Sequence, residues 1–183
     1  MKELSLNILD ISQNSVKAGA SRVDITVAES VVKDIVSIRV GDNGCGMSED
    51  MVKSVIDPFV TTRTTRKVGL GIPLVRQLAL DTEGTFDISS KVGEGTVLYA
   101  QFRLTHLDRP PIGDISSTLV TIISSAPDIR FVYKHVTDNG EFTLDTEEVK
   151  TMLEGIPIDS PEILIWLGEY LTENLNSIEG GKI

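Results

Sequence analysis

Asp10 and Asn14 stand four residues apart in a stretch whose apolar residues recur at helical spacing, so both side chains fall on one helix face. A carboxylate and an amide carbonyl one turn apart suit a hydrated Mg²⁺ or a positioned water. The same pair also fits a plain solvated helix face. Further along, Asp42, Gly44 and Gly46 form a DxGxG pattern directly after a strand-like run. Glycine is costly in ordered backbone unless the chain needs unusual angles or a close approach. An ionised Asp accepts hydrogen bonds and donates none, so the stretch GDNGCGM asks for a flat donor group. Gly69-Leu70-Gly71 leads into a helix, where free backbone N–H groups favour phosphate oxygens. Arg66 and Lys67 just before it add positive charge, whereas a flexible surface loop would use the same residues. Gly93-Glu94-Gly95-Thr96, taken alone, is a hairpin turn.

The elements that must position these residues follow from periodicity. Leu4, Ile8, Ile11 and their neighbours predict a helix that Gly19 stops. Residues 22–27 and 36–40 alternate as half-buried strands, joined by an acidic turn around Glu29 to Asp34. Ser48 caps a short helix, and residues 57–71 read as a loop. Ile72 to Leu80 is helical with Pro73 in its first turn, where proline is tolerated. Two more strands cover Thr85 to Ser90 and Gly95 to Leu104. This order predicts an α/β fold: an α+β two-layer sandwich with a mixed sheet and helices on one face. At Thr105 the composition shifts to THLDRPPIGD, a linker over about 105–113. The domains expected are therefore residues 1–104 and a small α+β C-terminal annex, 105–183. The annex holds a helix near 115–124, a hairpin around Asp138-Asn139-Gly140 and two further helices. Trp166 is expected in its core.

The 183 residues carry 40% hydrophobic and 24% charged side chains, enough for a real core. A formal charge of -10 argues against holding nucleic acid by phosphate neutralisation. The basic cluster Arg63, Arg66 and Lys67 is local. A single cysteine, Cys45, excludes an internal disulfide framework, four-cysteine zinc sites and the usual iron–sulfur ligand set. The N-terminus has no signal-peptide pattern and no apolar run approaches a membrane span. A soluble, cytoplasmic protein is expected.

Together, the four stretches resemble the GHKL family of ATP-binding domains, found in gyrase-type topoisomerases, heat-shock chaperones, histidine kinases and MutL-type mismatch-repair ATPases. The resemblance covers residues 4 to 104. QNSVKAGASRVDITV and DNGCGM are similar to the mismatch-repair version, whereas DPFVTTRTTRKVGLGIPLVRQLAL and the later GEGT look like a histidine-kinase catalytic domain. The phosphate-loop motif GxxxxGK[ST] is absent.

The resemblance implies roles for particular residues. Asn14 would coordinate the Mg²⁺ that bridges the ATP phosphates, and Asp42 would accept the adenine amino group. Gly44 and Gly46 would let the backbone approach the purine, and Thr96 would help bind near the adenine through water. Thr61 to Gly71, including Thr62, Arg66, Lys67 and Leu70, would form a lid whose Gly69 and Gly71 give N–H groups to phosphate. Lys17 would face phosphate, though an exposed helix lysine is an equal reading. Asp10 stands where hydrolysing members carry Glu, which orients or activates the attacking water. One methylene less implies slow hydrolysis, because a base must lie within hydrogen-bond reach and a displacement of about 1 Å can cost on the order of a hundredfold.

Because the catalytic helix begins almost at Met1, no phosphoacceptor helix is expected before it. His106 and His135 both come later, in a linker and on a hairpin strand. The chain is therefore expected to act as a stand-alone kinase or ATPase, similar in length to serine kinases that serve as anti-sigma factors, with a protein partner or phosphoacceptor elsewhere. A nucleotide-gated interaction module without turnover is the alternative. A mismatch-repair or topoisomerase-like subunit is a more remote one. The linker and hairpin annex are also similar to free-standing ATP-binding proteins that accompany bacterial iron hydrogenase and redox-complex subunits, which implies a regulatory or assembly partner. The annex is a candidate for homodimerisation, for capping the sheet or for docking a partner.

Overall fold

The structure, a computed structural model, describes residues 3–56 and 71–178. Helix α1 (Leu4–Lys17) precedes β1 (Arg22–Ser30) and β2 (Ile35–Asp42). Then come α2 (Glu49–Ile56), α3 (Gly71–Asp81), β3 (Thr85–Lys91) and β4 (Gly95–Arg103). The remainder is α4 (Ile115–Ser125), β5 (Arg130–Thr137), β6 (Gly140–Asp145), α5 (Thr146–Met152) and α6 (Pro161–Ile178). All strands form one six-stranded sheet in the order β3-β4-β2-β1-β5-β6. The β1–β5 pair is parallel and the other pairs are antiparallel. The hairpin that follows the linker thus continues the sheet begun by the first half of the chain.

Period-two alternation sorts the side chains. Ile25 pairs with Val40 and Tyr133, and Val40 with Leu98, so one inward apolar row crosses the sheet. Arg22, Asp24, Arg39 and Lys134 lie at the alternate positions, on the face left open to water. The inward rows are covered by Leu4, Ile8 and Ile11 of α1, with α3 packed beside α1 on one flank and α4, then α6, on the other. Each such side chain contributes roughly 1.5–3 kcal/mol on burial. The helices therefore lie on one face of a mixed sheet, as the sequence predicts.

Helix α1 has no capping side chain at Glu3. Its first N–H groups, which no helix can satisfy internally, donate instead to the linker: Leu4 N to Pro111 O at 3.0 Å and Ser5 N to Ile112 O at 2.7 Å. Trp166 departs from the expected core position. The buried stripe of α6 is Leu167, Leu171 and Leu175, and Trp166 falls off it, 42% exposed and stacked on Tyr170 at 5.2 Å between ring centroids. Among the described residues no helix is long and apolar enough to cross a membrane.

Two turns are tied by carboxylates. Asp138 at the tip of the β5–β6 hairpin accepts from Ser30 Oγ and Val31 N, both at 2.7 Å. Asp34 accepts from Arg103 Nε at 2.9 Å and Thr105 N at 2.8 Å. These bonds favour the ionised form, so the Ser30 hydroxyl beside Asp138 and the Arg103 guanidinium beside Asp34 hold both carboxyls below the ordinary value of 3.8. Ser117 does the same for Asp114, and Arg130 for Asp145. A depressed folded-state value means that the stabilisation is fully present above the unfolded value and is lost as pH falls through the folded one. The melting temperature should therefore change little between neutrality and about pH 5 and drop below about pH 4. Thermal melts across that range should show a shallower acid limb for Asp114→Asn/Asp145→Asn than for the native chain.

Candidate functional site

The inward face changes character at one end of the sheet. Val40, Leu98 and Ile88 are register partners across β2, β4 and β3, and the next inward row is Asp42, Thr96 and Ser90. An apolar floor therefore ends in a polar rim. The C-terminal half of α1 stands above it, and the loop after β2 closes one side. Between them lies a cavity of about 500 Å³, bounded further by Met51 and Val55 of α2 and Ile72 of α3. A small volume, mostly apolar walls and a few convergent polar groups suit a flat organic ligand. A larger groove of about 840 Å³ between α4 and α6 is open, and its Asp114 is spent on Ser117 at the start of α4.

Asp42 is fixed from two elements. Its Oδ2 accepts from Ser15 Oγ of α1 at 2.7 Å, and its Oδ1 accepts from Gly44 N at 2.9 Å. A carboxylate has about four acceptor positions, so two remain for a donor entering the cavity. Across the rim, Thr96 Oγ1 lies 2.8 Å from Ser90 Oγ. Ser90 also accepts from Met47 N at 2.8 Å and donates to Gly95 O at 2.9 Å. With the Ser90 proton on Gly95, Thr96 donates to Ser90 and keeps its own lone pairs.

The loop is anchored at each residue. Asn43 Oδ1 accepts from Ser21 N and Arg22 N, both at 2.9 Å. Cys45 N donates to Ala18 O at 2.9 Å, and Cys45 O accepts from Gly93 N at 2.8 Å. The glycines answer first to this crowding. A Cβ on Gly44 would lie 2.8 Å from Ala18 Cβ, and one on Gly46, whose φ is +64°, would lie 1.9 Å from Lys91 O. The clearance expected for a purine has a nearer cause in the protein's own backbone.

The structure brings Asn14, Lys17, Asp42, Gly46 and Thr96 to the cavity, with Gly44 holding Asp42 beside it. The Asn14 side chain makes no hydrogen bond among the described residues. Asp10 is exposed on the same face of α1, next to the start of α3: a Cβ on Gly71 would lie 3.2 Å from Asp10 Cβ. Thr61, Thr62, Arg66, Lys67, Gly69 and Leu70 lie outside the described residues. Among those described there is no cluster of three or more His, Cys, Asp and Glu suited to a metal ion. An Asn supplying one oxygen to a metal that keeps its waters and phosphate ligands needs no such cluster.

Sequence reasoning passed over Ser15 and Ser90. Both carried a signal: Ser15 continues the buried spacing of Ile8 and Ile11, and Ser90 continues the inward alternation of Phe86 and Ile88. A hydroxyl at an apolar position of a pattern marks a polar group needing a partner.

Residues 2–106 match the sequence profile of the family described as Histidine kinase-, DNA gyrase B-, and HSP90-like ATPase. A putative sensor histidine kinase NtrY-like of Rickettsia conorii is 26% identical over 109 residues, covering 59% of this chain and 18% of that protein. A probable C4-dicarboxylate sensor kinase of Bacillus subtilis is 32% identical over 85 residues, 46% of this chain and 16% of that protein. The matched segment thus spans less than a fifth of either relative. Among solved structures, the MutL ATPase domain of Aquifex aeolicus complexed with ADP aligns at TM-score 0.51 and 14% identity, covering 84% of this chain and 70% of that one. The N-terminal domain of a DNA repair protein aligns at 0.52 and 14% identity, covering 79% and 53%. At these identities the structures show a shared fold.

Gly46→Ala should destabilise by about 2 kcal/mol or more, because it combines overpacking with a left-handed backbone. Gly93→Ala, also at positive φ (+80°) but facing open space, should cost only about 1 kcal/mol. Urea denaturation of the two variants checks the contrast.

Proposed function

Because the chain belongs to the histidine kinase-, DNA gyrase B- and HSP90-like ATPase family, we propose that its cavity binds Mg-ATP and that the protein acts on, or regulates, a partner protein. The observation that carries this reading is the Asp42 carboxylate, held by Ser15 and Gly44 at the edge of an apolar floor with acceptor positions to spare. Adenine offers the flat donor edge that such a group would recognise. Val40, Leu98 and Ile88 would take the purine, and Thr96 would accept through a water. Asn14, without a side-chain partner among the described residues, would hold Mg²⁺ by its carbonyl oxygen, and Lys17 would face the phosphates. The metal would neutralise phosphate charge. The lid residues Thr61, Thr62, Arg66, Lys67, Gly69, Leu70 and Gly71 would close over it.

Asp10, one turn before Asn14 on α1, would be the group that orients a water. Its short reach supports slow hydrolysis. His135 is disfavoured as a phosphoacceptor. His135 is 1% exposed with both ring nitrogens hydrogen-bonded, and His106 accepts from Asp108 N at Nδ1. The net charge of -10 favours a protein partner over nucleic acid. A second reading rests on Asp10 as well: a module that binds ATP, orders its lid and presents it to a partner without turnover.

Asp42→Asn should weaken ATP binding roughly ten- to a hundredfold, the worth of a hydrogen bond to a charged group, while leaving the fold intact. Calorimetric titration measures this, and unchanged affinity would remove adenine from Asp42. Phosphate release from γ-labelled ATP should be slow in the native chain and absent in Asn14→Ala. Tight binding with no release from either would favour the switch over the ATPase.

A further inference from the structure

The inward face has a second polar end. Glu29 lies at the far end of β1 from Val23, the register partner of Asp42, about 20 Å away at strand rise. Beside it, His135 of β5 is buried at 1% exposure. His135 Nε2 lies 2.8 Å from Glu29 Oε1, and Nδ1 lies 2.7 Å from the Tyr133 hydroxyl. A proton on Nε2 points at the carboxylate, and the ring holds Glu29 in place. These groups open into a cleft of about 710 Å³ between the linker and α6.

Arg109 lines the same cleft. Its Nε donates to Leu104 O at 2.7 Å and its Nη1 to Pro110 O at 2.8 Å. Two carbonyls fix the guanidinium, and among the described residues no carboxylate pairs with it. Asp114, the other acid on the cleft, is spent on Ser117 N and Oγ. Glu29 and Arg109 therefore face one cleft with opposite charges, each held in place, and no ion pair joins them. Both side chains are partly buried, and a ligand can bring an opposite charge to each. A simple anion would meet Glu29 and a simple cation would meet Arg109. A molecule with an ammonium at one point and a carboxylate at another satisfies both.

We infer that this cleft is a second ligand site, for a small zwitterion of the free amino-acid class, whose carboxylate is taken by Arg109 and whose ammonium is taken by Glu29. Ile112, Ile115 and Leu175 line the same cleft and would receive an apolar side chain. The site is separate from the nucleotide cavity and does not rest on ATP binding.

The test is a thermal-shift titration of the native chain, without nucleotide, against each proteinogenic amino acid, followed by calorimetry on any that raises the melting temperature. At least one should bind saturably. The matching carboxylic acid without the amine, and the matching amine without the carboxylate, should each bind at least about tenfold more weakly. Glu29→Gln keeps an oxygen for the His135 proton and removes only the charge, so its fold should hold. It should lose at least about tenfold in affinity for the amino acid while its ATP affinity stays unchanged. Arg109→Lys, which keeps the charge but loses the fork, should also bind more weakly. Absence of any shift across the amino acids, or a Glu29→Gln protein that binds as the native chain does, would overturn the inference.

Discussion

Between the C-terminal end of α1 and the turn that joins β3 to β4, the backbone of residues 43–46 is enclosed by other backbone. Ala18 receives Cys45 N on one side, and Cys45 O receives Gly93 N on the other. Gly95 presses on the same loop from β4, where a Cβ would lie 1.9 Å from Asp42 O. Contacts between main chains cannot be relieved by a rotamer change, so helix, loop and hairpin form one rigid wall. The position of Asp42 depends on that wall. Ser15 comes from the helix, Gly44 from the loop, and Met47 reaches Ser90 on the hairpin. A carboxylate pinned in this way is preorganised for a donor and needs no reordering when one arrives.

The same sheet face therefore serves two purposes along its length. Its middle rows are apolar and hold the helices. Its ends, where helix cover runs out, are polar and face cavities. Helix α1 spans that length: its last turns stand over Asp42, and its first turn is capped by the linker carbonyls at Pro111 and Ile112. The linker is thus a structural part of helix α1 as well as a connection.

Much of the architecture was legible because periodicity is local. The strand alternation at 22–27 and 36–40, the Asn-Gly hairpin and the helix spacing of Leu4, Ile8 and Ile11 each needed only neighbouring residues. Asn14, Asp42 and Thr96 line one cavity; the sequence groups them only through the order and spacing of the stretches that carry the family resemblance. The rest depends on distant contacts. Nothing near Val23 announces that it pairs with Phe131, so one continuous sheet was not readable from either half. The reason for Gly46 lies in Lys91, well away along the chain. Ser15 and Ser90 each interrupt an apolar pattern, but their partners are fixed only once the sheet forms. Trp166 misled because size alone suggested burial, whereas the stripe of leucines on α6 decides which side turns inward.

The parallel joint between β1 and β5 also bears on how the chain is made. β1 is synthesised well before β5, and one of its edges finds β2 at once through a short turn. The other edge waits for β5, which follows all of β3, β4, the linker and α4. Until then β1 offers a row of unpaired N–H and C=O groups, the kind of edge on which strands of other molecules assemble. Pairing over such a separation is slow because loop closure precedes any gain. A nascent chain therefore carries this open edge of β1 until Arg130–Thr137 has emerged to pair with it.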